Sequence, residues 1–346
     1  MATRMLVTGG AGFIGSNFIR FVLEARRDVH ITNLDVLTYS GNLENLAGLE
    51  GHPRYRFVKG DIAARGVVAP LMDETDVVIH MAAESHVDRS IMDSAPFMRT
   101  NVLGTQALLD AARLSHGGKG VARFVHVSTD EVYGSLPLEH PELKFTEETP
   151  IQPNSPYAAS KAGSDLLVRA AFHTFHMPVV TTRCSNNFGA YQFPEKVIPL
   201  FVTNLIEGKR VPLYGDGRNV RDWLHVLDHC EAILTVAEKG RVGEVYNIGG
   251  NNERSNLELT HSILAIMGKG QEMIQPVEDR KGHDRRYAID GTKIATELGW
   301  HPRESFATGL RMTVEWYLAH QDWVSSVTSG EYQQWVERNY AARAVA

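Results

Sequence analysis

Short apolar runs alternate with stretches of helical periodicity through the first half of the chain. Runs at residues 5–8, 29–34, 55–58, 77–81, 124–128 and 179–183 are apolar on both faces and read as buried strands. Between them, residues 14–25, 97–114 and 157–175 repeat apolar positions at helical spacing. Two-sided strands separated by helices predict a parallel sheet covered on both faces, and right-handed crossovers make it a doubly wound α/β fold. After Arg183 the pattern loosens. Segments 184–196, 211–225 and 249–256 are rich in Gly, Asn, Pro and charge, and 185–290 reads as a smaller substrate lobe. The run 244–248 reads as a strand returning to the main sheet. The tail 306–346 reads as amphipathic helices in which Trp316, Tyr317, Trp323 and Trp335 serve packing.

The glycines turn this pattern into a binding site. The first strand runs into Thr8-Gly9-Gly10-Ala11-Gly12-Phe13-Ile14-Gly15, a G-x-x-G-x-x-G turn between strand and helix. Gly9 permits the tight turn, Gly12 admits a pyrophosphate, and Gly15 lets the helix lie close to the strand. The helix N-terminus adds free N–H groups and partial positive charge. Asp35 ends the second strand, where a carboxylate accepts the adenosine ribose hydroxyls and repels a 2′-phosphate, favouring NAD over NADP. Asp61 ends the third strand and is placed to meet the adenine amino group or to serve a turn. Ala82 and Ala83 end the fourth, where small residues let a cofactor pass. The reading is a Rossmann-type NAD-binding domain over 1–184, rejoined by 225–250. Residues 185–346 form mainly the substrate-binding lobe and C-terminal helices.

Composition narrows the partners. The chain of 346 residues carries 35 Lys and Arg against 41 Asp and Glu, a net charge of −6. No basic surplus exists to neutralise nucleic-acid phosphates. The N-terminus enters a strand at once, and no apolar run reaches a membrane span, so neither secretion nor membrane insertion is expected. Two cysteines, Cys184 and Cys230, suit a reducing cytoplasm rather than a disulfide scaffold. No zinc-type spacing is present, and no metal is expected.

Tyr157 and Lys161 form Y-x-x-x-K on a helix, and a spacing of four puts both on one face. A free tyrosine, with a pKa of about 10, is a poor base at neutral pH. A nearby ammonium or nicotinium ring stabilises its phenolate, and a drop of about 3 units needs roughly 4 kcal/mol. Ser128-Thr129 offers hydroxyls at a strand end beside them.

TGGAGFIG, Thr129 and Tyr157-Ala-Ala-Ser-Lys161 together resemble the extended short-chain dehydrogenase/reductase family. The motifs at 82–90, 128–134, 155–161, 186–189, 221–226 and 282–287 are similar to its dTDP-glucose 4,6-dehydratase branch. That resemblance implies NAD-dependent conversion of dTDP-glucose to dTDP-4-keto-6-deoxyglucose, with one tightly bound NAD regenerated each turnover. It implies that Tyr157 takes the O4 proton, Lys161 lowers the tyrosine pKa and holds the nicotinamide ribose, and Thr129 bonds the O4 region. Asp130 is then the acid at O6 and Glu131 the base at C5. It adds Thr38, Ile62, Ser85, Thr100 and Asn187 to the cofactor contacts. It implies substrate contacts at Ser85, Thr129, Asn186, Lys196, Val197, Pro212, Tyr214, Arg218, Arg221, Asn256, Asp279 and His283, with Arg221 suited to a diphosphate. A homodimer paired through 97–114 and 157–175 is also implied. His116, His140 and His173 read as surface or packing residues.

The rivals share the cofactor machinery. A nucleotide-sugar 4-epimerase needs no acid–base pair at the strand end, and a UDP-glucuronate decarboxylase lacks the Asp. A UDP-glucose 4,6-dehydratase differs only in base recognition. A non-catalytic NAD-binding sensor would tolerate loss of a catalytic residue, and none is missing.

Overall fold

The computed structural model describes residues 2–328 and residue 334; Trp335 lies outside the described residues. Seven strands form one parallel sheet: β1 (Thr3–Thr8), β2 (Val29–Asp35), β3 (Tyr55–Lys59), β4 (Val77–His80), β5 (Arg123–Thr129), β6 (Val179–Cys184) and a late strand, Val245–Ile248. The spatial order is late strand, β6, β5, β4, β1, β2, β3. The order reverses beside β1, between β2 and β4, which is where doubly wound sheets open a crevice at their carboxyl ends. The late strand pairs parallel with β6, Val245 opposite Thr181, as the sequence pattern implies.

Both faces of the sheet are covered because its strands are apolar on both faces. One face packs Phe18, Ile19 and Val22 of helix Phe13–Ala25 and Ile233 and Val236 of helix Val226–Lys239. The other packs Leu108 and Leu109 of Thr105–Gly118 with Val168 and Ala171 of Pro156–Phe175. Ile294 and Trp300 also join the first of these cores.

A separate core holds the second lobe, built around Phe188, Phe201, Trp223, Leu259 and Tyr317. Counting the late strand of the main sheet as β10, the lobe's own strands are β7 (Asn186–Phe188), β8 (Val211–Tyr214), β9 (Val220–His225), β11 (Glu253–Ser255) and β12 (Ile274–Val277). β7 and β11 flank β9, and β12 pairs with β8. Segments 184–196, 211–225 and 249–256, patterned like loops in the sequence, therefore contain short strands. Trp323 donates from Nε1 to Asn45 Oδ1 at 2.8 Å, tying the last described helix to the first domain. Among the described residues no helix is long and apolar enough to cross a membrane, and no cluster of metal-ligating side chains occurs.

Candidate active site

The carboxyl ends of β1, β2 and β4 lie side by side at the switch point, where doubly wound sheets bind a dinucleotide. Gly9 has φ +74°, and a Cβ there would press 2.7 Å from the Ala82 backbone. A Cβ on Gly15 would run into the Gly9 carbonyl. At Gly12 a Cβ meets only that carbonyl, at 3.3 Å, so its outer side is open to a ligand. Gly12 caps helix Phe13–Ala25 with no side-chain hydrogen bond, leaving the first-turn N–H groups, Phe13 and Ile14 among them, to bind an anion. Asp35 accepts from Ala11 N at 2.9 Å and Leu37 N at 2.8 Å, so it braces the glycine turn as well. Burial pushes its carboxyl up, while the backbone N–H groups of Leu37, Ala11 and Val36 pull it down. Asp61 is held by Ala63 N at 2.8 Å and Arg99 Nη2 at 3.1 Å, next to buried Ile62. Ala82, Ala83, Ser85 and Thr100 are partly exposed around the cleft's sides, and Thr38 is exposed in the loop after β2. These residues fit NAD.

The chemistry-bearing groups meet where β5 ends. Thr129 caps the 3-10 turn Asp130–Tyr133, accepting from Glu131 N at 3.3 Å and donating to Asp130 Oδ1 at 3.2 Å. Tyr157 and Lys161 come from the N-terminal half of Pro156–Phe175, whose start is capped by Ser155 Oγ accepting from Ala158 N at 3.1 Å. Lys161 Nζ donates to the Val127 carbonyl at 2.9 Å. Burial, Glu131 and Cys184 hold the Tyr157 hydroxyl well above its ordinary pKa, and burial lowers the Lys161 ammonium. In the protein alone, then, burial and the neighbouring acidic groups outweigh any lowering of the tyrosine by Lys161. Asn187, beyond β6, donates to the Ser185 carbonyl at 3.0 Å, and its buried Oδ1 has no protein partner.

The two carboxyls differ. Burial, then Glu131 and Asp222, raise Asp130 well above the carboxylate range, and its buried Oδ2 has no protein partner. Burial also raises Glu131, but Arg280, Lys196 and Arg221 oppose it. Glu131 reaches the wall of a cavity between the lobes; Asp130 lies behind it, 1% exposed.

That cavity gathers eight of the residues expected to hold substrate: Asn186, Lys196, Val197, Pro212, Tyr214, Arg221, Asn256 and His283. Lys196 Nζ donates to the Ser85 carbonyl at 2.8 Å. Asp279 stands behind His283, with 2.5 Å between its Oδ1 and the imidazole Nδ1. The Arg221 guanidinium lies 4.1 Å over the Tyr287 ring and donates to the Asp284 carbonyl at 2.9 Å. Arg218 stands apart: it is exposed and lines a different surface cleft with residues 135–139 and Arg285.

A family model described as GDP-mannose 4,6 dehydratase matches residues 6–313. A dTDP-glucose 4,6-dehydratase of Xanthomonas campestris pv. campestris (strain B100) is 55% identical over 350 residues, covering 96% of this chain and 98% of that protein. One from Shigella flexneri is 49% identical over 362 residues, covering 98% and 99%. The crystal structure of DesIV, the dTDP-glucose 4,6-dehydratase of Streptomyces venezuelae, solved with NAD bound, superposes with a TM-score of 0.90. It is 52% identical and covers 94% of this chain and 100% of its own. The chain belongs to the dTDP-glucose 4,6-dehydratase family. Around the Thr129–Glu131 turn of this family member, the cavity holds further groups that sequence reasoning missed: Asp88, Glu195, Arg280 and Tyr287. Arg280 sits 3.7 Å from Asp88 with its side chain 16% exposed. The density of basic residues from Arg280 to Arg286 was the available signal for it. Glu195 carried none beyond its place beside Lys196.

Proposed function

We propose that this chain is a hydro-lyase that converts dTDP-glucose to dTDP-4-keto-6-deoxyglucose with NAD as its resident cofactor. The observation that carries the reading is the pair Asp130–Glu131, unequal in environment, set beside Tyr157 at the end of β5. The C5 hydrogen of glucose becomes acidic only when C4 is a ketone, because the carbanion then spreads into an enolate. NAD, when bound, supplies a two-electron acceptor for the C4 hydride and its return to C6. Tyr157, whose phenolate the positive charge of a nicotinium ring would favour when the cofactor is bound, takes the O4 proton, and Thr129 orients O4 by a hydrogen bond. Lys161 holds the tyrosine and the nicotinamide ribose. Glu131, whose burial is opposed by Arg280, Lys196 and Arg221, acts in its ionised form to remove the C5 proton. Asp130, kept protonated by burial, delivers its proton to the leaving O6. Lys196, Arg221 and Arg280 bring three positive charges to one cavity, which suits a diphosphate.

The test is turnover of dTDP-glucose against UDP-glucose, following the 4-keto sugar by its absorbance in alkali and identifying the product by mass and NMR. Product from dTDP-glucose, and much less from UDP-glucose, is the expected result. No product from either overturns the reading.

The functional unit is a homodimer in the cytoplasm. Leu103 and Leu114 are 62% and 60% exposed on the helical stretch after Ala95, and Leu166 and Phe175 are 54% and 52% exposed on Pro156–Phe175. Those side chains suit a helix-on-helix interface. Sedimentation at micromolar concentration is expected to return twice the chain mass, and a monomer would contradict this assignment.

A further inference from the structure

Residues 189–196 touch the helix that follows β1 and the loops that follow β2 and β4. Asn17, on the helix that opens at the glycine turn, donates to the Ala190 carbonyl at 3.0 Å. Lys196 donates to the Ser85 carbonyl beyond β4. Between these points Glu195 is gripped on both carboxylate oxygens. Tyr39, in the loop that follows Asp35, donates its hydroxyl to Oε1 at 3.0 Å. Arg89 donates Nε to Oε2 at 2.9 Å. The Arg89 guanidinium also lies 3.9 Å from the Tyr39 ring centroid, and Phe193 meets that ring edge-on at 5.7 Å.

This cluster has the chemistry of a strong link. The Glu195 side chain is 2% exposed, so its bonds to Arg89 and Tyr39 are charge-assisted and shielded from water. It joins three stretches far apart in sequence and crosses from the first domain to the second lobe. Tyr39 itself does not line the substrate cavity.

We propose that Tyr39, Arg89 and Glu195 form a clasp that holds the 189–196 strap across the mouth of the dinucleotide cleft and so retains NAD throughout turnover. The inference rests on the NAD-dependent reading above. The reaction demands such retention. The hydride taken from C4 must return to C6 of the same sugar, and exchange of the cofactor in mid-cycle would strand the sugar as an unsaturated ketone. Tyr39 and Arg89 are positioning residues, acting on the strap rather than on the reacting atoms.

The experiment loads the full-length protein with radiolabelled NAD and follows release of the label into excess unlabelled NAD. Tyr39→Phe removes the hydroxyl and keeps the ring under Arg89; Arg89→Gln removes the charge. Each is expected to release label at least about tenfold faster, the factor for one hydrogen bond to a charged group. The initial rate of keto-sugar formation by Tyr39→Phe at saturating NAD is expected to be unchanged. Without added NAD the variant is expected to lose activity as it turns over, and added NAD restores it. A lower melting temperature with wild-type release would mark the cluster as structural only and overturn the clasp. So would wild-type release from both variants while the wild-type protein makes keto sugar, with the reading above left intact. A wild-type protein that neither holds NAD nor turns over dTDP-glucose overturns both.

Discussion

Asp130 and Glu131 are adjacent in the chain yet face different surroundings, and the mechanism depends on that difference. Replacing Glu131 by Gln removes the base and keeps the shape. It is expected to lower kcat by roughly 10²–10⁴-fold while leaving the oxidation at C4 competent. Single-turnover absorbance of the reduced cofactor checks this: it should accumulate in Glu131→Gln, and a wild-type rate would contradict the assignment. The pH profile follows from the same two environments. Glu131 works ionised, so the rate falls as pH drops through its raised pKa. Asp130 works protonated, so the rate falls as pH rises through its own raised pKa. Both limbs of the profile are therefore expected above the ordinary carboxylate range, with the acid limb moved or lost in Glu131→Gln. Spacing makes Tyr157 and Lys161 legible in the sequence, with Thr129 as a strand-end hydroxyl beside them, while Asp130 and Glu131 take their roles from the family resemblance. The sense of the Tyr157 shift is not legible there, because it depends on burial and on where the Lys161 ammonium points. Arg218 departs from expectation for a related reason: a charge beside a motif in sequence can project to the opposite side of its turn.

At the scale of elements, the six parallel strands of the first half are readable because each carries an apolar run bounded by turn residues, on both faces in the inner strands and on one in the edge strand β3. The second lobe is not. β8 and β9 are four and six residues long and carry Pro212, Arg221 and Asp222, so neither periodicity nor composition marks them. They form because each pairs with a distant partner, β8 with β12 and β9 with β7 and β11, a constraint invisible locally. Helix Arg65–Asp73 is also unmarked, since Pro70 interrupts its pattern. The glycine turn allows a sharp element-level test. In Gly15→Ala the added methyl would meet the Gly9 carbonyl, pushing the helix off the strand. NAD affinity is expected to fall at least about tenfold by equilibrium dialysis, and unchanged affinity would show that the close approach is dispensable.

Across the whole molecule, stability is coupled to pH through buried histidines. His126, on β5, is bonded at 3.1 Å to Asp165 of Pro156–Phe175, yet burial pulls its pKa down to about 4 from 6.5. The unfolded chain takes up that proton below 6.5 and the folded chain refuses it until about 4, so stability falls as pH drops through this window. The loss is about 3 kcal/mol for this histidine. His229, pulled down to about 3, acts in the same direction. Asp165, held at about 2 by His126 and Arg183 against its burial, adds a further loss between 3.8 and about 2. The raised carboxyls Asp35, Asp130 and Glu131 act in the opposite direction, so the histidine contribution is isolated by urea melts of the protein and of His229→Gln at a series of pH values: between pH 6.5 and 4 the wild-type midpoint should decline relative to the variant's, and parallel profiles would contradict it.

One resident cofactor carries a hydride from C4 to C6 of the same sugar. Incubating the protein with dTDP-glucose deuterated at C4 and reading the product by NMR tests this most directly. Deuterium at C6, with no reduced cofactor free in solution, is the predicted result. A 6-deoxy product without label at C6 would contradict it.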